Sequence, residues 1–496
     1  MTTARQPNSS SGSDTSAPNR RELLALVQPW GQEHLLAFWD ELSPVEQNKL
    51  AAQLRDIDFA QIARLYRNAS AAQASVPSDS TSQAPAAEDP AALASRAEPP
   101  PAIRLGDANP MFSLDEAARR GNAALSAGKL GVVLVAGGQG TRLGFDHPKG
   151  LYPIGPVSGA TLFQILIEKL VAVGRCHGVR IPLYLMTSPA THEETLAALA
   201  EHDRFGLASD DLLVFCQGTM PAVDAATGRL LLEGKGRLAL SPDGHGGTLA
   251  ALVKSGALAD IQRRGIEQLF YMQVDNPLVQ VCDPALIGYH LLADSQLSTQ
   301  VVAKRTPLDR VGNVVLVDGK LRIIEYSDLP DDAAKARLPD GSLKLWAGNI
   351  AVHVFEVAFL ARRSLGDGRL PFHIARKKVD HIDASGRSVE PPTPNAVKFE
   401  QFIFDLLPAA RNAMVVEVDE TTTFAPLKNA SGEQRDSPET VQAQMVALHR
   451  AWLREAGATI DDHVPVEISP CFALDAAELR GKIEAGLRVS IPTYFH

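Results

Sequence analysis

Between Leu134 and Gly150 the chain reads LVAGGQGTRLGFDHPKG, setting several glycines, one arginine and one lysine directly after an apolar run. Glycines at a strand end let backbone N–H groups approach anionic oxygens without a Cβ in the way. Arg142 adds a fork-shaped cation and Lys149 a point-like one, on a loop tethered by Pro148. Together these suit the holding of a polyphosphate. The two commonest phosphate loops do not fit. A P-loop requires Lys and Ser or Thr after its last glycine, and Gly144 is followed by Phe145 and Asp146. The dinucleotide fingerprint requires a third glycine where Leu143 stands. A glycine-rich turn by itself also fits a purely structural loop, and the flanking cations are what favour an anion. A second chemical signal is Asp275, a carboxylate just past the apolar run Leu269–Val274; the alternative is an Asp that turns the chain before Asn276-Pro277.

The elements that must position these groups alternate. Gly131–Ala136 is a short continuous apolar run, as a buried parallel strand should be, and Leu162–Val173 follows with helical spacing. Strand-like runs recur at 181–187, 212–216, 269–274, 299–303 and 314–317, several of them separated by helical stretches. This predicts an α/β fold with a mixed, mostly parallel sheet flanked by helices and ligands at the carboxyl ends of its strands. Before it, Ser43-Pro44-Val45-Glu46 is a helix start with a capping box, within a helical N-terminal region. The expected division is a disordered tail over 1–19, a helical region over 20–104 with an Ala/Ser/Pro-rich linker at about 70–101, a catalytic domain over 105–409, and a smaller C-terminal domain over 410–496.

Composition narrows the function classes. The 496 residues carry a net charge of -10, with 58 acidic against 48 basic side chains, which argues against a general nucleic-acid binder but leaves room for one pocket of cations. Cys176, Cys216, Cys282 and Cys471 are far apart, without metal-ligand spacing, and read as small buried hydrophobes. No segment reads as a signal peptide or a membrane span, and no protein partner is evident. A soluble, cytoplasmic protein is the expectation.

The GGQGTRLG…PKG stretch also resembles the signature of the eukaryotic-type UDP-sugar pyrophosphorylases, closest to their N-acetylhexosamine branch. The resemblance runs from Gly31-Gln-Glu-His-Leu-Leu to Glu467-Ile-Ser-Pro and includes Gln217-Gly218, Pro242-Asp243-Gly244, Val274-Asp275-Asn276, Val397-Lys398-Phe399-Glu400 and Pro426-Leu427-Lys428-Asn429. Each block is a weak match; their number, order and spacing are specific. The resemblance implies a GT-A-like nucleotidyltransferase that joins UTP to a sugar 1-phosphate and releases pyrophosphate, by in-line attack on the α-phosphorus without a covalent intermediate. Such a reaction is governed by positioning and charge neutralisation.

By the same resemblance, Gly137, Gly138, Gly244 and Gln217 meet the nucleotide. Arg142, Lys149, Lys398 and Lys428 neutralise phosphates, with Lys428 carried in by a closing C-terminal domain. Asp275 is the ligand of a magnesium ion, the expected cofactor, which commonly takes one or two carboxylates beside waters and substrate phosphates. The sugar is expected against His245, Glu325, Gly348 and Asn349, with Gly348 leaving room beside Asn349. His245 departs from the N-acetylhexosamine pattern, which has Asn there, and Gly-His-Gly is closer to the UDP-glucose and broad UDP-sugar branches. The expected preference is N-acetylglucosamine 1-phosphate; the alternatives are UDP-glucose or broad UDP-sugar synthesis, a non-catalytic relative, and a dinucleotide-dependent dehydrogenase. The last is disfavoured by the missing third glycine and by Glu168, at about the right distance but within a helical stretch instead of at a strand end.

Overall fold

The structure, a computed structural model, describes residues 19–73, 90–107, 110–365 and 370–496. All of the expected disordered tail but Asn19, and residues 74–89 of the expected linker, lie outside the described residues; within the linker's span, Pro90–Arg96 forms a short helix.

The chain divides into two compact units. Among the described residues, one draws on 19–73, 219–241 and 372–400. Its helices Arg20–Val27, Pro44–Asp56 and Phe59–Gln73 include the predicted capping box, with Ser43 and Glu46 bonding each other's backbone N–H. Its core joins Leu23, Leu35, Leu50 and Leu54 to Val223, Leu230, Val397 and Phe399, so all three segments build it.

The other unit comprises residues 85–218, 242–371 and 401–496 and holds a nine-stranded mixed sheet. Its strands are β1 (Leu130–Val135), β2 (Leu183–Thr187), β3 (Leu212–Cys216), β4 (Gln268–Gln273), β5 (Leu297–Ala303), β6 (Asn313–Val317), β7 (Lys320–Ile324), β8 (Ala347–Glu356) and β9 (Met414–Glu417). They run β7-β6-β8-β4-β1-β2-β3, with β5 pairing β8 and β9. The β4-β1-β2-β3 stretch is parallel, and β4 meets β8 antiparallel. Their continuous apolar sequences are the mark of strands covered on both faces. Helices α1 (Leu114–Ser126), α2 (Leu162–His177), α3 (Pro284–Leu292) and α4 (Pro438–Glu455) pack in the same unit. From β1 the chain goes to β2 and β3 on one side and returns through β4 on the other, so β1 and β4 flank the switch point where ligands bind in such sheets.

Three expectations need correction. Residue 410 is not a boundary: Met414–Glu417 enters the main sheet beside β5, because Val415 and Val416 are buried in its layers. Cys176 is exposed; Cys282 alone of the four cysteines is fully buried, and all four are free. The third concerns Gly348, in β8: a Cβ there would stand 2.8 Å from the Val311 side chain and 3.3 Å from the Val302 carbonyl. The glycine serves close packing between strands, so it leaves no room beside Asn349. Among the described residues no helix is long and apolar enough to cross a membrane.

Candidate active site

Parallel pairing places Val135 opposite Gln273, so the glycine loop leaving β1 and Asp275 just past β4 emerge side by side. Val274 extends the pairing by donating to the Val135 carbonyl at 3.0 Å. The loop is closed on itself. Gly140 N–H donates to His147 O at 2.9 Å and Lys149 N–H to Gly138 O at 3.0 Å. Thr141–Leu143 makes a 3-10 turn ended by Gly144 at φ 68, a left-handed position that glycine takes without strain. A Cβ on Gly137 would stand 2.9 Å from the Gln217 side-chain oxygen, whereas one on Gly138 would meet nothing within 4 Å. Gly137 therefore lets Gln217 pack against the loop, and Gly138 opens its backbone to space.

Lys149 is the electrostatic centre of the arrangement. Its Nζ donates to Leu427 O at 3.1 Å. Burial pushes its pKa down, Asp275 pulls it back up, and the nearby Lys428 and Arg142 push it down further. Arg142, Lys149, Lys428 and Asp275, from three separate stretches of sequence, thus share one neighbourhood. Lys428 comes with Asp275 directly: Leu427 N–H donates to Asp275 O at 2.8 Å. The expected closing domain is accordingly replaced by a fixed segment of the same unit. Lys428 Nζ lies 5.9 Å over the Phe424 ring. It lines a cleft of about 770 Å³ together with Lys304, Arg305, Arg310, Arg435 and Asp436.

Asp436 is the carboxylate that sequence reasoning passed over. The chain folds back so that Lys428 and Asn429 both donate to Asp436 O, at 2.8 and 2.9 Å. Burial raises the pKa of its side chain, Lys428 lowers it, and Asp275 raises it again, which puts the two carboxylates within electrostatic reach. Nothing local marks Asp436, since its role depends on the fold-back. Two acidic side chains close to phosphate-directed cations fit a hard divalent cation whose other ligands are waters and phosphate oxygens. Among the described residues no cluster of three or more His, Cys, Asp or Glu forms an all-protein metal cage.

On the other side of the loop, Asp243 packs its carboxylate into space that only Gly218 and Gly247 leave free. Its Oδ1 is buried without a hydrogen-bond partner among the described residues, and burial raises its pKa to about 6. Gly244, at φ 84, turns the chain toward His245. The His245 Nδ1 accepts from the Ile403 N–H at 3.3 Å, and its ring lies 5.3 Å from that of Phe402 and 5.4 Å from that of Phe404. Asn349 has its Oδ1 engaged by the Thr299 hydroxyl at 3.3 Å and the Ala351 N–H at 3.1 Å, which leaves the two Nδ2 hydrogens as its donors. Glu325 lies against Gly312, whose carbonyl accepts from Asn349 N–H at 2.8 Å. Lys398 is in the other unit, on strand Ala396–Glu400 opposite Ala375.

Backbone donors, cations and carboxylates converging on the switch point of such a sheet suit group transfer between two phosphate-bearing partners, the work of a nucleotidyltransferase. Residues 88–474 match the family described as UTP–glucose-1-phosphate uridylyltransferase, and the chain belongs to that family. It is a uridylyltransferase of the UDP-sugar pyrophosphorylase kind. Among its relatives is the human UDP-N-acetylhexosamine pyrophosphorylase-like protein 1, 38% identical over 90% of this chain and 87% of the relative. The Saccharomyces cerevisiae UDP-N-acetylglucosamine pyrophosphorylase is 39% identical over 74% and 79% respectively. A crystal structure of a putative UDP-N-acetylglucosamine pyrophosphorylase from Entamoeba histolytica superposes with a TM-score of 0.71 at 32% identity, covering 77% of this chain and 96% of that one. The Trypanosoma brucei enzyme in complex with inhibitor shares the fold at 24% identity, TM-score 0.78, over 96% and 99%. The dehydrogenase alternative falls here; Glu168 sits within α2, accepting from Gln164 and Ser469.

Proposed function

We propose that the enzyme joins UTP to N-acetylglucosamine 1-phosphate with magnesium, using Arg142, Lys149 and Lys428 against the phosphates and Asp275, assisted by Asp436, to hold the metal. The observation that carries this is the convergence of those cations and carboxylates at the ends of β1 and β4. Magnesium, when bound, supplies positive charge that offsets the charge gathering on the triphosphate. The chain's own groups do the rest. Gly137 and Gly138 offer backbone near the nucleotide, and Gln217 is held against them to read the base. Arg142 and Lys149 bracket the loop where the departing pyrophosphate gathers charge. The attacking sugar phosphate is already ionised at neutral pH, so no side chain need remove a proton from it. Lys149, held to the Leu427 carbonyl, keeps its charge fixed and partly shielded from water, where it acts more strongly than at the surface.

Sugar choice rests on Asn349 and His245. With Oδ1 engaged, Asn349 presents donors only, which suits an acceptor such as the acetamido carbonyl. His245 is anchored through Nδ1 to the Ile403 N–H and stacked on Phe402, which holds its ring in one orientation. The names of the relatives favour the N-acetylated substrate, and the free cysteines fit a cytoplasmic setting. The test is a panel of sugar 1-phosphates with UTP and magnesium, read as pyrophosphate release. N-acetylglucosamine 1-phosphate is expected to be used best, and glucose 1-phosphate and N-acetylgalactosamine 1-phosphate less efficiently. Use of glucose 1-phosphate with none of the N-acetylated sugar would move the enzyme to the UDP-glucose reading that His245 supports.

A further inference from the structure

Lys169 lies in the interior of α2 and sends its side chain to the turn that follows Asp275. Its Nζ donates to Pro277 O at 2.6 Å and to Val279 O at 2.9 Å. No carboxylate is paired with it among the described residues, and burial pulls its pKa down to about 7. The side chain is only part-buried and lines a cleft with Glu168 and His449. An ammonium drawn even partly from water without a paired carboxylate is costly to keep, and a purely space-filling position would be served better by an apolar side chain. What Lys169 does instead is tie two carbonyls of one turn together.

That turn is bonded onward to the rest of the site. Asn276 is buried, donates from Nδ2 to Thr423 O at 2.8 Å, and accepts on Oδ1 from Leu278 N–H at 3.2 Å and Ala425 N–H at 3.0 Å. Asp275 O takes the Leu427 N–H at 2.8 Å, and Leu427 O takes the Lys149 ammonium at 3.1 Å. The hydrogen bonds therefore run from α2 through residues 275–279 to the segment carrying Lys428, and back to the glycine loop. We infer that Lys169 is a positioning residue of the transfer reaction: by clamping the Pro277 and Val279 carbonyls it fixes the turn that presents Asp275 and, through that turn, Lys149 and Lys428. The inference rests on the reading of Asp275 as the metal-binding carboxylate. Outer partners of metal-binding groups fix the orientation of the group they support.

The experiment compares Lys169→Met and Asp275→Asn with the parent in the full-length chain. Its readouts are thermal stability, kcat, KM for UTP, the magnesium requirement, and Mn2+ affinity of the UTP complex by electron paramagnetic resonance. Lys169→Met is expected to fold, to lower kcat and to weaken Mn2+ by about tenfold, as loss of such a supporting group does. KM for UTP should change much less than kcat. A variant that melts earlier but keeps parental kcat and Mn2+ affinity would show Lys169 to be structural only and overturn the inference. Should Lys169→Met fail to fold, Lys169→Gln replaces it, with an uncharged side chain too short to span both carbonyls; the same losses are expected and parental values again overturn it. If Asp275→Asn itself leaves Mn2+ affinity unchanged, the metal reading fails and this inference with it. If Asp275→Asn weakens Mn2+ and the Lys169 variants do not, this inference alone fails.

Discussion

Lys149 carries its charge where burial and two neighbouring cations oppose it, with Asp275 as the counterweight. Such a group is kept for what it does to an incoming anion. Lys149→Ala and Arg142→Ala should each lower turnover by about 2–4 kcal/mol of transition-state stabilisation, with the denaturation midpoint nearly unchanged for the exposed Arg142. Steady-state kinetics at saturating UTP checks this, and near-parental turnover in Arg142→Ala would remove the loop from the triphosphate. His245→Asn should leave KM for UTP alone and shift the ratio of kcat/KM between N-acetylated and plain sugars by roughly tenfold, the worth of one hydrogen bond. The Phe402 and Phe404 rings against His245 make a second effect expected, a modest loss of stability, which thermal denaturation would report. At this scale the sequence was informative where chemistry is local. Glycines, Arg142 and Lys149 are contiguous, and Asp275 follows a plain apolar run. It was silent on Asp436, which acquires its setting only when residues 428–436 double back. Gly348 was misleading, since a missing side chain reads the same whether ligand or Val311 occupies the space.

The elements that succeed from sequence are those with one unambiguous period. β1 through β4 are short apolar runs, and each expected strand lies within a residue or two of the observed one. β7 and β8 were not expected as strands. β8 breaks its alternation at Ala351, whose φ is 56, beside a register shift against β5 at Thr299–Val301, so no simple period marks it. In the antiparallel half of the sheet, β5 and β6 were legible as strands, while β7, β8 and the antiparallel pairing came only with the structure. Also outside any sequence signal is the approach of α1 to α3. A Cβ on Gly288 would stand 1.7 Å from Ala117 O, and one on Gly121 would stand 1.9 Å from Pro284 O. The two helices touch backbone to backbone through reciprocal glycines. Gly288→Ala should force them apart and destabilise the unit by about 1–3 kcal/mol, as overpacking does, measurable by chemical denaturation. A neutral result would mean that the pair can slide without loss. Since α3 begins nine residues beyond Asp275, the same variant should lower kcat as well.

For the molecule as a whole, His290, His353 and His449 are buried and held neutral, with burial lowering each pKa to about 3. Unfolded histidine titrates near 6.5, so between about pH 6.5 and 3 the unfolded chain takes up protons that the folded chain refuses. Stability from this source is complete above pH 6.5 and is lost as pH falls, at roughly 1.4 kcal/mol per histidine per pH unit. Denaturant midpoints should decline steeply below pH 6, and His290→Gln should make that decline shallower. The continuous stretches of the larger unit were legible in advance, but the division of the chain was not, because hydrophobic pattern reports burial and is blind to which distant segment supplies the covering. The smaller unit shows why: its core needs the early helices, Val223 and Leu230 from midway, and Val397 and Phe399 from four-fifths of the way along. On the ribosome, then, Leu23, Leu50 and Leu54 are made long before their partners and must wait with apolar faces uncovered until residue 399 has emerged. The order of translation thus makes these early helices one of the later parts of the chain to complete their core.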